Sequence, residues 1–240
     1  MRHPRGFALL ATLVLMPLLL ATVGAVAGAL IALQAHQEAL HECRTSLLRA
    51  QGELAAGLSD LLSLNPEADR LRAQKKLAKL ALRTSTTPAA VAYWTQRIVM
   101  LQAKQVLLDI EQRSIVVLAD GRARLAVESA RSAVPLAYRN STDRQGGRGT
   151  SAVSADSASL PRMQLTKEPP TELAAHYRPS RDAVRSQVAR MVWSVRLSQL
   201  LPAWMPLSKG AEAARTHGQC ASTVDEKEGR WKPRLTADRL

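Results

Sequence analysis

Between Phe7 and Leu33 the chain carries no charged residue across 27 positions. As a helix this run is about 40 Å long, more than the ~30 Å hydrocarbon core of a bilayer. The apolar region of a cleavable signal peptide is shorter, at ~7–15 residues. Val23-Gly24-Ala25 and Ala27-Gly28-Ala29 offer small residues at cleavage spacing, but the length of the run predicts a membrane-spanning helix over 7–33. Pro17 removes one backbone hydrogen bond, which predicts a kink near Leu13. Gly24 and Gly28 have the GxxxG spacing that permits close helix approach. Arg2 and Arg5 precede the run, whereas Glu38 and Glu42 come before the first basic residue after it, Arg44. Positive flanks favour the cytoplasmic side, so the N-terminus is expected inside and the bulk of the chain outside, in the periplasm or its equivalent, after a single pass.

Arg5-Gly6-Phe7 followed by an apolar helix resembles the leader junction of type IV pilin-like proteins. The stretch "GFALLATLVLMPLLLATVGAVAG" is especially similar to tight-adherence (Flp-type) pilus assembly proteins and their pseudopilin-like relatives. The resemblance covers about the first 35 residues. It implies a leader over 1–6, cut after Gly6 so that Phe7 becomes the new N-terminus. It also implies other pilin-like subunits and assembly-platform proteins as partners. Major pilins carry Glu at the fifth position after the cut, where this chain has Ala11, so the implied role is that of a minor or accessory subunit. An ordinary single-span anchor with an extracytoplasmic helical domain, or an enzyme without a recognisable site, are the alternatives.

Helical patterning continues past the apolar run. Val26, Leu33, Leu40, Leu47, Leu54 and Leu61 recur every seven residues, with Ala29, Cys43, Ala50 and Leu64 on the alternate positions. His36 and Gly57 interrupt that second row. The seam predicts an amphipathic helix ending near Asn65-Pro66, packed either within its own domain or against a second copy as a homo-oligomer. A basic amphipathic helix is expected over Glu67–Arg83, suited to an anionic membrane surface or to packing by its leucines with a solvated outer face. After the break at Thr84–Pro88, a long helix is expected over Ala89–Ala133. Its candidate buried residues are Trp94, Ile98, Leu101, Val106, Leu108, Ile115, Val116 and Leu118, and Gly121 marks a kink or local end. Together these make a helical stalk or hairpin over 34–137.

Residues 138–160 are rich in Gly, Ser, Thr and Asp and read as a flexible linker. Within them "GGRGTS" lacks the Lys and the spacing of a phosphate loop. Over 161–240, "VARMVWSVRL" alternates Ala189, Met191, Trp193, Val195 and Leu197 with Arg190, Val192, Ser194 and Arg196, which fits a half-buried strand. "LPAWMP" ends it, and Arg162–Thr166, Gln219–Val224 and Arg230–Leu235 are further strand candidates. The expected fold is therefore α+β and mainly α: a long N-terminal transmembrane and stalk helix, a helical hairpin, and a small C-terminal antiparallel sheet.

The chain has two cysteines, too few for a disulfide framework or a structural zinc site. Outside the cytoplasm they are expected to pair as Cys43–Cys220, closing a loop that ties the C-terminal segment to the first helix. A buried free Cys43, or pairing with a second chain, remain the other readings. Among His3, His36, His41, His176 and His217, only His36 and His41 lie close in sequence, and they lack the zinc-protease pattern. No nucleophile elbow or Cys-His signature appears. No catalytic carboxylate pair stands out among Asp60, Asp109, Glu111 and Asp120, so no catalytic, metal or cofactor residue is assigned. The net charge of +13 suits anionic partners, but with 3% aromatics the chain lacks the clustered stacking residues of a nucleic-acid binder.

Overall fold

The computed structural model describes residues 5–144, 153–159, 162–163, 165–170, 173–179, 188–200, 215–227 and 230–236. Three helices lead: α1 (Arg5–Ser63), α2 (Asn65–Thr84) and α3 (Pro88–Arg144). They are followed by β1 (Ser154–Ser159), β2 (Leu165–Glu168), β3 (His176–Pro179), β4 (Ala189–Arg196), a single turn α4 (Leu197–Leu200), β5 (Arg215–Lys227) and β6 (Arg230–Leu235). One sheet has the order β1-β4-β5-β6, and β2 pairs antiparallel with β3. β5 and β6 are antiparallel, with Ser222 opposite Leu235 and Lys227 opposite Arg230. The chain is thus mainly helical, with a long N-terminal helix and small antiparallel pairings at the C-terminal end.

Prolines place the helix boundaries where the sequence put them. Pro66 lies in the first turn of α2, where its missing N–H costs no hydrogen bond, and Pro88 opens α3. Two prolines also lie inside helices, Pro17 in α1 and Pro135 in α3, and neither helix is split. α3 continues to Arg144 rather than ending at Ala133, and it passes through Gly121. The expected linker over 138–160 is corrected accordingly. Tyr138, Ser141 and Thr142 are buried helix residues, and Ser154–Ser159 form a strand. The Ser and Thr there do not break the helix, because Thr142 turns its hydroxyl back onto the Tyr138 and Arg139 carbonyls. "LPAWMP" and the "GGRGTS" run lie outside the described residues.

The chain divides into two compact units. The first comprises residues 1–45, 129–158 and 191–220, and the second 46–128, 159–190 and 221–240.

In the first unit Ala35, Ala39 and Cys43 of α1 are buried, with Ala130, Val134 and Tyr138 of α3 and Met191, Trp193 and Val195 of β4. The expected alternation of β4 holds except at one position: Ala189, Met191, Trp193 and Val195 are inside, Arg190 and Val192 are half-buried and Arg196 is exposed, but Ser194 is buried as well.

In the second unit Leu47, Leu54, Leu58 and Leu61 of α1 are buried. α2 and α3 share a cluster of Ala68, Leu71, Ala78, Leu101 and Leu108, closed by Ala174 and flanked by Leu64, Trp94 and Ile98. α1 and α3 run antiparallel here, because Glu53 pairs with Arg122 at 3.6 Å while Gly57 faces Ala119. A Cβ on Gly57 would overlap Ala119 and press on Met163, so the glycine marks a close helix approach. Three long amides fix strands and loops to these helices by gripping backbone. Asn65 bonds both the N–H and the carbonyl of Tyr177, Gln112 donates to the Ala175 carbonyl, and Gln51 donates to the Ser222 carbonyl.

Two expected core positions are corrected. Val106 and Leu118 of α3 are exposed, because the face of α3 that meets the fold runs through Leu101, Gln105, Leu108, Gln112 and Ala119. At the top of the α1 seam, Val26 and Leu33 are exposed as well, and so is Ala29. A straight α-helix drifts by ~20° per heptad against a strict seven-residue repeat, so the row that is buried at Leu47–Leu61 has rotated outward by Val26.

Candidate functional site

α1 changes character along its length. From Leu13 to Leu20 every large apolar side chain is at least half exposed, on all sides of the helix, and Val23, Val26, Leu30 and Leu33 follow suit. An 18-residue window of this helix reaches a mean hydropathy of 2.3, so it is long and apolar enough to cross a membrane once. A helix apolar all round has no polar face to give to water. Gly6 and Phe7 lie within the helical residues, while residues 1–4, and so most of the expected leader, lie outside the described ones. Gly24 has open space around its Cα, and Thr22 returns its hydroxyl to the Leu19 carbonyl, so the Thr22 hydroxyl needs no water.

The first unit has its own anchoring cluster just beyond that stretch. The structure joins Cys43 to Cys220, the expected pairing, with a Cα–Cα separation of 6.3 Å across 177 positions of sequence. That separation lies within the usual range for a disulfide. Trp193, fully buried on β4, donates its indole N–H to Tyr138 Oη at 3.1 Å. Tyr138 Oη in turn lies 2.8 Å from His36 Nδ1. Because the phenol oxygen already accepts from Trp193, its proton is available to His36, whose Nδ1 accepts only in the neutral ring. Burial lowers the His36 pKa from the ordinary histidine value, which agrees with that neutral state. Burial raises the Tyr138 pKa, against the Trp193 hydrogen bond, which lowers it. Gly218 of β5 sits against the indole, where a Cβ would fall within the ring. Sequence reasoning weighed His36 only with His41, and the structure separates them. His41 is exposed and lines a groove of about 590 Å³ with Glu38, Glu42, Asn140 and Arg144.

In the second unit Asp109 is buried and bonded to Arg113 at 2.8 Å and Lys167 at 3.2 Å. Two cations on one buried carboxylate make a structural clamp between α3 and β2. Asp120 accepts the Met163 N–H at 3.1 Å. Burial raises its pKa, with that N–H and Arg162 working against the rise. His176 bonds Asp69 at 3.1 Å, and Arg72 reaches both Asp69 and the Glu168 carbonyl. The basic helix keeps one row, Arg72, Lys75, Lys76 and Lys79, along a cleft of about 520 Å³ with Gln105 and Leu173. Lys75 is held by Gln105 Oε1 at 2.8 Å. Among the described residues no group of three His, Cys, Asp or Glu is placed to hold a metal ion. Comparison with protein families, curated proteins and solved structures finds no match.

Proposed function

We propose that this chain is a membrane-anchored, pilin-like accessory protein of a pilus or secretion-filament assembly system. The observation that carries the reading is the division within α1, whose large apolar side chains from Leu13 to Leu33 are exposed apart from the half-buried Ile31, whereas beyond Ala35 the helix packs into a folded domain. Such a helix, half in lipid and half as the spine of a domain outside, is what the resemblance at Arg5-Gly6-Phe7 implies. In this reading the span holds the chain in the inner membrane with Arg2 and Arg5 inside and the rest in the periplasm. A prepilin peptidase cuts after Gly6, leaving Phe7 first, and an assembly platform draws on the membrane-held subunit. The Cys43–Cys220 disulfide supports an oxidising compartment. The mechanism is physical, with the helix as handle and the disulfide fixing the terminal strand to it.

Intact-mass analysis of membrane-extracted protein tests this reading. A mature chain starting at Phe7 supports it. An intact Met1 means a plain anchor, and a start at Val26 or Leu30 means a signal peptidase and a released product.

A further inference from the structure

Besides the face that it buries, α3 carries a second row of large apolar side chains that point away from its own fold. Toward the interior it presents mostly small or polar residues, among them Gln112, Ala119, Ala123 and Ala126. On the opposite side Met100, Leu107, Ile110, Val117, Leu118 and Leu125 are each between 50% and 71% exposed. All lie in the second unit, well beyond the apolar run of α1. Six large apolar side chains exposed to this degree along one helix face form a continuous apolar stripe, and contiguous apolar patches beyond ~300–600 Å² mark interaction surfaces.

The spacing of this face says what it fits. Met100, Ala103, Leu107, Ile110, Ser114, Val117 and Gly121 recur at alternating intervals of three and four, all on the exposed side. That is the seam of a two-helix coiled coil, and the small residues Ala103, Ser114 and Gly121 let backbones approach. Gly121 has nothing within 4 Å of where its Cβ would stand, so the seam is open there. The comparable seam of α1, at Leu47, Leu54 and Leu61, is already buried within the chain.

We infer that α3 pairs with α3 of a second copy of this chain, parallel and in register, through the Met100–Gly121 seam. A stable interface takes about 800 Å² from each side, so the partner must cover the stripe along its whole length, as a second helix in register does. The parallel sense rests on the membrane reading above. Two copies anchored by α1 in one bilayer carry α1, and the antiparallel α3 beside it, in the same direction. Confinement to a membrane also raises the effective concentration of the second copy. In this register Lys104 lies across from Val99 and Glu111 from Val106, so no like charges oppose. The antiparallel arrangement instead sets Lys104 against Glu111 of the other copy, and it is the competitor to exclude.

Single-cysteine variants of the full chain in lipid nanodiscs, with the native disulfide intact, decide the matter under mild oxidation. Ser114→Cys is expected to give a reducible dimer, while Gln102→Cys, exposed but off the seam, gives none. Leu107→Glu with Ile110→Glu is expected to weaken the Ser114→Cys dimer at least about tenfold, equivalent to ~1.4 kcal/mol. These positions are on the surface, so the native Cys43–Cys220 bond and the helical circular-dichroism signal should be unchanged, which separates lost pairing from lost folding. The proposal is overturned by a Ser114→Cys protein that stays monomeric. It is also overturned if cross-linking occurs only between Met100→Cys and Val117→Cys chains, the antiparallel pattern. Retention in the membrane pellet of the expressing cells, measured for each variant before transfer to nanodiscs, reports the span separately, so a monomer that still fractionates with membrane defeats the pairing and not the anchor.

Discussion

The two halves of α1 are one continuous helix with opposite relations to their surroundings. Between Leu13 and Leu33 bulky side chains face outward in every direction, and protein buries almost none of them. Between Ala35 and Leu61 a single stripe at intervals of three and four residues is sealed against α3 and the strands, while the rest of the circumference is open. The first half has the composition of a core with almost no protein around it, and it is long and apolar enough to cross a membrane once. The second half behaves as a helix of a water-soluble domain, with small residues where neighbours come close and leucines where space must be filled. A mutation therefore has different consequences on either side of about Ala35.

The largest effect should come from the covalent tie at the start of the second half. Cys43→Ser, with Cys220→Ser to avoid a stray thiol, frees a loop of 177 positions. Chain-entropy arguments put the loss at up to about 5 kcal/mol, a ceiling that measured values usually undershoot. Denaturant unfolding of the folded portion should register it, and an unchanged midpoint would mean that the link carries no stability.

A paired substitution sharpens the contrast within one helix type. Leu54→Ala, at a site 1% exposed, should cost about 2–5 kcal/mol of unfolding free energy. Leu18→Ala, at a site 61% exposed, should leave the domain's unfolding midpoint where it was. Equal losses at both would erase the distinction.

Gly57→Ala is expected to cost less, about 1–2 kcal/mol. Overlap with Ala119 outweighs the ~1 kcal/mol of helix propensity that alanine gains. Gly52→Ala, where nothing lies within 4 Å, should instead stabilise slightly. Thermal melts of the two variants should move in opposite directions.

The smallest effect is the pH dependence carried by His36. Its folded pKa is lowered by burial, so between that value and 6.5 the unfolded chain binds more protons than the folded one. Its contribution is fully present above about pH 6.5 and declines as pH falls through the lowered value. Melting temperature should therefore drop on acidification from pH 7.5, with a shallower slope in His36→Gln. An identical slope in the variant would mean that the burial of His36 carries none of the pH dependence.

Much of this architecture could be read from residues alone. The boundaries at Pro66 and Pro88 were legible because proline enforces them chemically, whereas the end of α3 was not, and β4 was legible because most of its period-two alternation survives despite the buried Ser194. The Cys43–Cys220 pair was legible from count, since two cysteines admit one intramolecular pairing. The fate of individual helix faces was not. Heptad spacing along α1 marked the buried leucines correctly at Leu47, Leu54 and Leu61, yet misplaced Val26 and Leu33 because helical drift accumulates over five repeats. On α3, apolar residues occupy two opposite faces, and sequence gives no means of telling which face meets the fold. Val106 and Leu118 were misassigned for that reason. The irregularities carried the finer information. His36 and Gly57, which broke the apolar row, are where Tyr138 and Ala119 respectively come in close. The Tyr138–Trp193 contact was beyond reach, because 55 positions of sequence and a strand separate its partners.

A topology reporter fused after Leu240 in a bacterial host tests the central claim most directly. The account predicts a membrane-retained fusion whose reporter is active only when periplasmic, as the proposed single crossing of α1 with Arg2 and Arg5 inside requires. A fusion active only as a cytoplasmic reporter, or one released from the membrane by washing, would contradict it.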